Sequence, residues 1–125
     1  MSDVRVLSLA VLLIGLLVQS VDASEQTEGA KLYGEMCTVC HGVTGNADGP
    51  GAAVLNPKPR KLSSAAIMST IPDQVIFDMI KKGGLGVGKS PLMQSFGHLG
   101  DAKIEALVAH IRDLCECQYE SDAGP

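Results

Sequence analysis

Cys37, Cys40 and His41 stand in the run Cys-Thr-Val-Cys-His, and no other group of residues in the chain carries as much chemistry. Two thiols three positions apart, with a histidine directly after the second, read as a site for covalent attachment of a c-type haem. Each thiol can add across one haem vinyl group to give a thioether, and the histidine can reach the iron as its proximal ligand. At the helical spacing i, i+3 and i+4 the three side chains share one face. Cys-x-x-Cys also serves thioredoxin-like exchange and zinc sites. The first wants strands alternating with helices around the motif, whereas a glycine- and proline-rich stretch follows it here. The second wants another ligand pair, and Cys115 and Cys117 supply only Cys-x-Cys at the far end of the chain.

The elements that must position these groups read as helices. Tyr33, Met36, Cys37 and Cys40 recur at helical spacing, which predicts a helix over about 27–39 ending in the motif, with Gly42 beyond it. From Gly42 to Leu62 the chain carries four glycines and three prolines and no sustained period. A stretch of that length in a compact domain usually binds something, and here it could wrap the proximal side of a haem. A second helix is predicted over 72–82, with Pro72 in its first turn, Asp73 at the positive end of its dipole and Gly83-Gly84 as its stop. The third, over 101–114, has Ile104, Leu107, Val108, Ile111 and Cys115 along one stripe. No alternating strand pattern appears, so the fold class is all-α with three main helices.

Met1 to Ala23 reads as a secretory signal peptide: Arg5, an apolar run from Val6 to Val18, then Val21-Asp22-Ala23 with small residues at both cleavage positions. The run falls short of the roughly 17 to 25 residues of a membrane span, which makes an uncleaved anchor the lesser reading. Ser24 to Cys115 then forms one small domain and residues 116–125 a flexible tail. The whole chain has no Trp, two Tyr and two Phe, too few large rings for a core of this size, and a porphyrin would replace them. In an oxidising compartment Cys115 and Cys117 should not stay free without reason. Cys115 lies on the core stripe as a buried thiol; the two could also pair with each other or bridge two chains.

The order of helix, Cys-x-x-Cys-His, Gly/Pro loop, short helix, methionine loop and terminal helix resembles a class I, monohaem c-type cytochrome. The resemblance covers Ser24 to Leu114. It rests on Gly29-x-x-x-Tyr33, Cys37-Thr-Val-Cys40-His41-Gly42, Asp48-Gly49-Pro50, Leu55-Asn-Pro57-Lys-Pro59-Arg-Lys-Leu62, Ser90-Pro-Leu-Met93-Gln-Ser-Phe96-Gly97 and Ala106-Leu-Val-Ala-His-Ile-Arg112. It implies the small cytochrome c fold, helices and loops wrapped around one covalently attached haem, with Met93 as the distal iron ligand. Met36, Met68 and Met79 take the ordinary role of core filler. Gln94 departs from the family by standing where a proline commonly follows the ligand methionine. His110 stands where an aromatic residue usually packs beside the crossing of the first and last helices, and His98 is the other rival ligand. A ligating histidine usually donates its second N–H to a carbonyl; by resemblance the acceptor for His41 is the Pro50 carbonyl, with Pro57 the alternative.

With histidine and methionine on the iron no coordination position stays open, so the resemblance implies a periplasmic electron carrier rather than an enzyme. The alternatives are a haem-bearing subunit of a larger respiratory or oxidative enzyme and a five-coordinate gas sensor or peroxidase-like protein. The sequence offers no nucleophile–base pair and no phosphate-binding loop. A formal net charge of −4 without a basic patch argues against nucleic acid. Lys58, Arg60, Lys61, Lys81, Lys82 and Lys89 cluster between Pro57 and Gly100 and suggest a basic rim that steers acidic redox partners.

Overall fold

The computed structural model describes residues 19–121, and over them the chain is helical, with no strand among the described residues. Five α-helices follow in order: α1 Gln19–Met36, α2 Thr38–His41, α3 Ala65–Met68, α4 Asp73–Gly86 and α5 Asp101–Cys115. Two 3-10 turns, Pro50–Val54 and Gly97–Leu99, lie between them. The expected all-α class is what the chain adopts. The apolar run of the expected leader lies outside the described residues, and α1 runs across the expected cleavage position after Ala23.

Packing of α1 on α5 builds the frame. The stripe read from sequence on α5 is the buried one: Ile104, Leu107, Val108, Ile111 and Cys115 all face the core, with Ile104 fully buried. Leu32 and Tyr33 of α1 and Ile76 and Ile80 of α4 meet them. Each fully buried leucine or isoleucine contributes about 1.5–3 kcal/mol. The two long helices cross at Gly29, where any Cβ would run into the Ala106 carbonyl, so glycine is required by close approach. One turn on, the Tyr33 ring packs on the His110 ring at 4.9 Å. His110 is thus the half-buried packing residue of the crossing, in the place expected of an aromatic side chain.

Arg112 ties the remaining elements to α5. It is 5% exposed; its Nη1 donates to the Met68 carbonyl at 2.7 Å and its Nη2 to the Ile71 carbonyl, while Nε and Nη2 both meet Asp73 Oδ1 at 2.7 Å. One guanidinium therefore satisfies carbonyls at the end of α3 and after it, and fixes the start of α4. Cys115 and Cys117 are joined as a disulfide. The tail expected to be flexible from Glu116 is tied through its first residues, because Cys117 N–H donates to the Arg112 carbonyl and Glu120 N–H to the Ser69 carbonyl at 2.8 Å.

Candidate functional site

The first helix ends at Met36, three residues earlier than its period suggested, and the motif forms a turn of its own. Cys37 N–H still bonds the Tyr33 carbonyl at 2.9 Å, and Cys40 and His41 both bond back to the Cys37 carbonyl, at 3.2 and 2.9 Å. The turn is thereby helical, with the two thiols and the imidazole at the register the chemistry needs. Tyr33 anchors it from below by donating its hydroxyl to the Gly42 carbonyl at 2.8 Å. Burial first, then Cys37 and Asp48, push that phenol well above its usual range, so it stays a neutral donor.

Cys37 and Cys40 are free and half-buried, whereas the other two cysteines are paired. Burial, with a smaller contribution from Cys40, pushes the Cys37 thiol up to about 11. Cys40 Sγ lies against Gly51, whose backbone also closes on the Val39 carbonyl, so the 3-10 turn covers this edge of the motif.

His41 Nδ1 lies 3.0 Å from the Arg60 carbonyl. Burial lowers the pKa of the imidazole, opposed by that bond, and a neutral ring donating from Nδ1 presents the Nε2 lone pair to a metal. The acceptor read by resemblance, Pro50, is replaced by Arg60, and so is its alternative, Pro57. Pro50 opens the 3-10 turn, which packs on the Thr38–Val39 backbone; the chain returns to the His41 ring only ten residues later. Ala47 N–H to the His41 carbonyl and Ser63 N–H to the Gly45 carbonyl close the loop around the histidine.

Met93 is half-buried and packs against the core cluster. Its segment is held by a feature that sequence reading took only as a helix stop. α4 continues to Gly86 through a kink at Gly83, where φ is 71° and ψ is 171°. There the Met93–Ser95 backbone lies directly on the glycine pair: Gly84 N–H donates to the Met93 carbonyl at 2.9 Å, and Phe96 N–H to the Ile80 carbonyl. Side chains at Gly83 or Gly84 would collide with this strip and with Ser90. His98, by contrast, is exposed beside the Phe96 ring. Met68 is fully buried, as a core filler should be.

The basic residues divide. Lys81 pairs with Asp101 at 2.7 Å and Lys82 with Asp78 at 3.2 Å. Lys58 turns its ammonium onto the Ala52 and Ala53 carbonyls. Arg60, Lys61 and Lys89 are exposed and form no ion pair among the described residues. An open groove between α4 and α5, lined by Phe77, Val108, Asp101 and Glu105, contains none of the motif residues.

The donor set fits a c-type haem: two unpaired thiols, an imidazole with one nitrogen already engaged and a thioether held in a stapled loop. Residue type and spacing pointed to Cys37, Cys40 and His41, and the resemblance to Met93. They were silent on the Arg60 carbonyl and on the Ala52 and Ala53 carbonyls that hold Lys58, since a backbone acceptor leaves no mark on residue type. A search of curated proteins found no match. The family described as "Cytochrome C oxidase, cbb3-type, subunit III" matches residues 24–111, which takes in the motif, both loops and the crossing helices. With that coverage, the chain belongs to this family and is a c-type cytochrome of small all-α cytochrome c fold.

Proposed function

We propose that this cytochrome is a periplasmic electron carrier with one covalently attached haem, exchanging single electrons with redox partners by an outer-sphere route. The observation that carries the reading is the register of Cys37, Cys40 and His41 with His41 Nδ1 already bonded to Arg60, which leaves one imidazole nitrogen for iron. When bound, a c-type haem supplies a one-electron iron couple. Cys37 and Cys40 would hold it through thioethers, and His41 Nε2 and Met93 Sδ would ligate its iron. Tyr33, the Arg60 carbonyl and the Gly83-Gly84 pair fix those ligands, so little rearrangement accompanies a change of charge. Arg60, Lys61 and Lys89 meet acidic partner surfaces, with Lys58, Lys81 and Lys82 contributing less because their ammonium groups are already bonded. The apolar leader directs the chain across the inner membrane.

A second reading, a haem-bearing subunit of an oxidase, is favoured by the description of the family. Stable co-purification with a larger assembly would select it over a free carrier. Intact mass of the protein recovered from the periplasm tests the main reading, because it reports leader cleavage and haem addition together. One haem on a chain starting at Ser24 is expected. Haem-free protein, or haem that organic acid extracts, would refute covalent attachment. Met93→Ala should abolish the far-red iron–methionine band of the ferric protein with the haem still attached. Loss of the low-spin spectrum in His98→Ala instead would refute the Met93 assignment in favour of a second histidine, and a high-spin spectrum of the unmodified ferric protein would favour the five-coordinate alternatives.

A further inference from the structure

The carbonyl that faces His41 sits in a segment with almost no backbone support. Among the described residues no backbone N–H from Asn56 to Leu62 donates to a backbone carbonyl. On the C-terminal side of Arg60 the chain is anchored at once: Leu62 is buried in the core, Ser63 N–H bonds the Gly45 carbonyl at 3.1 Å, and Ser63 Oγ–H bonds Asn46 Oδ1 at 2.7 Å. On the N-terminal side the last backbone bond is Leu55 N–H to Ala52. Between that point and Arg60 the polar tether is Lys58, whose Nζ donates to the Ala52 carbonyl at 2.7 Å and the Ala53 carbonyl at 2.9 Å.

We propose that Lys58 is a positioning residue for the proximal histidine: its ammonium staples the 56–60 segment to the 3-10 turn and so sets the Arg60 carbonyl against His41 Nδ1. The physical chain is short. Two charge-assisted bonds hold the segment at Lys58, the core holds it at Leu62, and Arg60 lies between the two anchors with its carbonyl 3.0 Å from the ring. A ligating imidazole becomes more electron-donating as its Nδ1–H bond strengthens. Holding the carbonyl close therefore favours the ferric state, and releasing it favours the ferrous one. The same bonds explain why this lysine contributes less than Arg60, Lys61 and Lys89 as a docking charge. The inference rests on His41 being the proximal ligand.

The test uses holoprotein carrying ¹⁵N-histidine, in the diamagnetic ferrous state. Wild type should give a His41 Nδ1–H resonance protected from solvent exchange. Absence of any such resonance would refute His41 ligation, and with it the proposed function. Lys58→Met keeps the stem length and removes the donors. It should shift that resonance upfield, speed its exchange about tenfold, the order expected for loss of one such hydrogen bond, and raise the reduction potential; Lys58→Arg should restore all three. An unchanged resonance and potential in Lys58→Met, with only a lower melting temperature, would overturn the positioning role while leaving the function intact. A second measurement needs no variant. In wild-type holoprotein, Lys58 should acetylate more slowly than Lys61 and Lys89 under limiting acetylating reagent read by mass spectrometry, and equal rates would show that the tether does not form.

Discussion

Replacing Gly83 by alanine should release Met93 from the iron while leaving the haem attached, and Gly88→Ala supplies a matched control. Both glycines have φ of +71°, so both substitutions bear a backbone penalty. At Gly83, where ψ is 171°, the conformation is one that essentially only glycine adopts, and alanine costs about 1–3 kcal/mol. At Gly88 a left-handed alanine costs about 1–2 kcal/mol. What separates them is the surroundings. A Cβ at Gly83 would stand 2.9 Å from the Met93 carbonyl oxygen and 2.7 Å from Ser95 N, whereas one at Gly88 meets nothing within 4 Å. Ordinary contact requires the Met93–Ser95 strip to retreat by about half an ångström, and overpacking of this kind adds about 1–3 kcal/mol. Gly83→Ala should thus lose about 2–6 kcal/mol in denaturant unfolding of the ferric holoprotein, together with most of the far-red band. Gly88→Ala should lose no more than about 2 kcal/mol and keep the band. Equal band intensity in the two variants would refute the idea that the glycine pair positions the distal ligand.

Arg112→Met should destabilise the holoprotein by about 3–5 kcal/mol, because it strands two carbonyls and one carboxylate of a partly buried network; Asp73→Asn, which keeps an acceptor on a side chain 61% exposed, should cost clearly less in the same urea titration. Burial holds the His110 pKa below its ordinary 6.5, with Asp113 opposing; the unfolded chain then binds the proton more readily, so stability is full above pH 6.5 and falls as pH drops through the folded value. His110→Phe should remove that part of the acid sensitivity, and an unchanged pH profile of melting temperature would count against it. Reversing Arg60, Lys61 and Lys89 to Glu should slow reduction of ferricyanide by the ferrous protein at low salt, with the gap closing as salt screens charges beyond about 8 Å. Lys81→Gln with Lys82→Gln should change the rate less, since each lysine already faces an aspartate.

Periodicity exposed α5 almost to the residue, because its apolar stripe repeats over four turns and every member is buried. It placed α4 well at its start and missed its end, since Gly83-Gly84 reads as a stop whether the chain turns away or kinks and continues for three residues. The motif's own turn was hidden for a related reason: Cys37 interrupts the helix with φ of −107°, while the i, i+3, i+4 register that defines the motif survives the break. The loop from Gly42 to Leu62 was legible as irregular. Its inner order was not, because it comes from carbonyl acceptors, at Arg60, Ala52 and Ala53, which every residue type possesses. The ties of the tail's first residues were hidden for a different cause. Composition gives residues 116–120 no apolar stripe, and what ties them down is a disulfide and three backbone bonds.

The two proposed iron ligands sit on opposite kinds of support, and this decides how the site should respond to change. His41 lies on a helical turn, bonded at its own backbone to Cys37 and at its ring to a loop that Lys58 and Leu62 pin from either side. Met93 is not itself on a helix. Its backbone rests on two glycines, and the residue after it is Gln94, with free φ, where a proline would have pre-set the chain. Stiffness that proline would supply through the unfolded state is supplied here by hydrogen bonds from Gly84 and Phe96 to the surrounding backbone. Such bonds are present only in the folded protein and open locally before the core does. Gentle heating or dilute denaturant should therefore erase the far-red band ahead of the far-ultraviolet helical signal. A Gln94→Pro variant should bring the two transitions together, and two coincident transitions in the unmodified protein would show that the distal loop is no weaker than the helices that frame it.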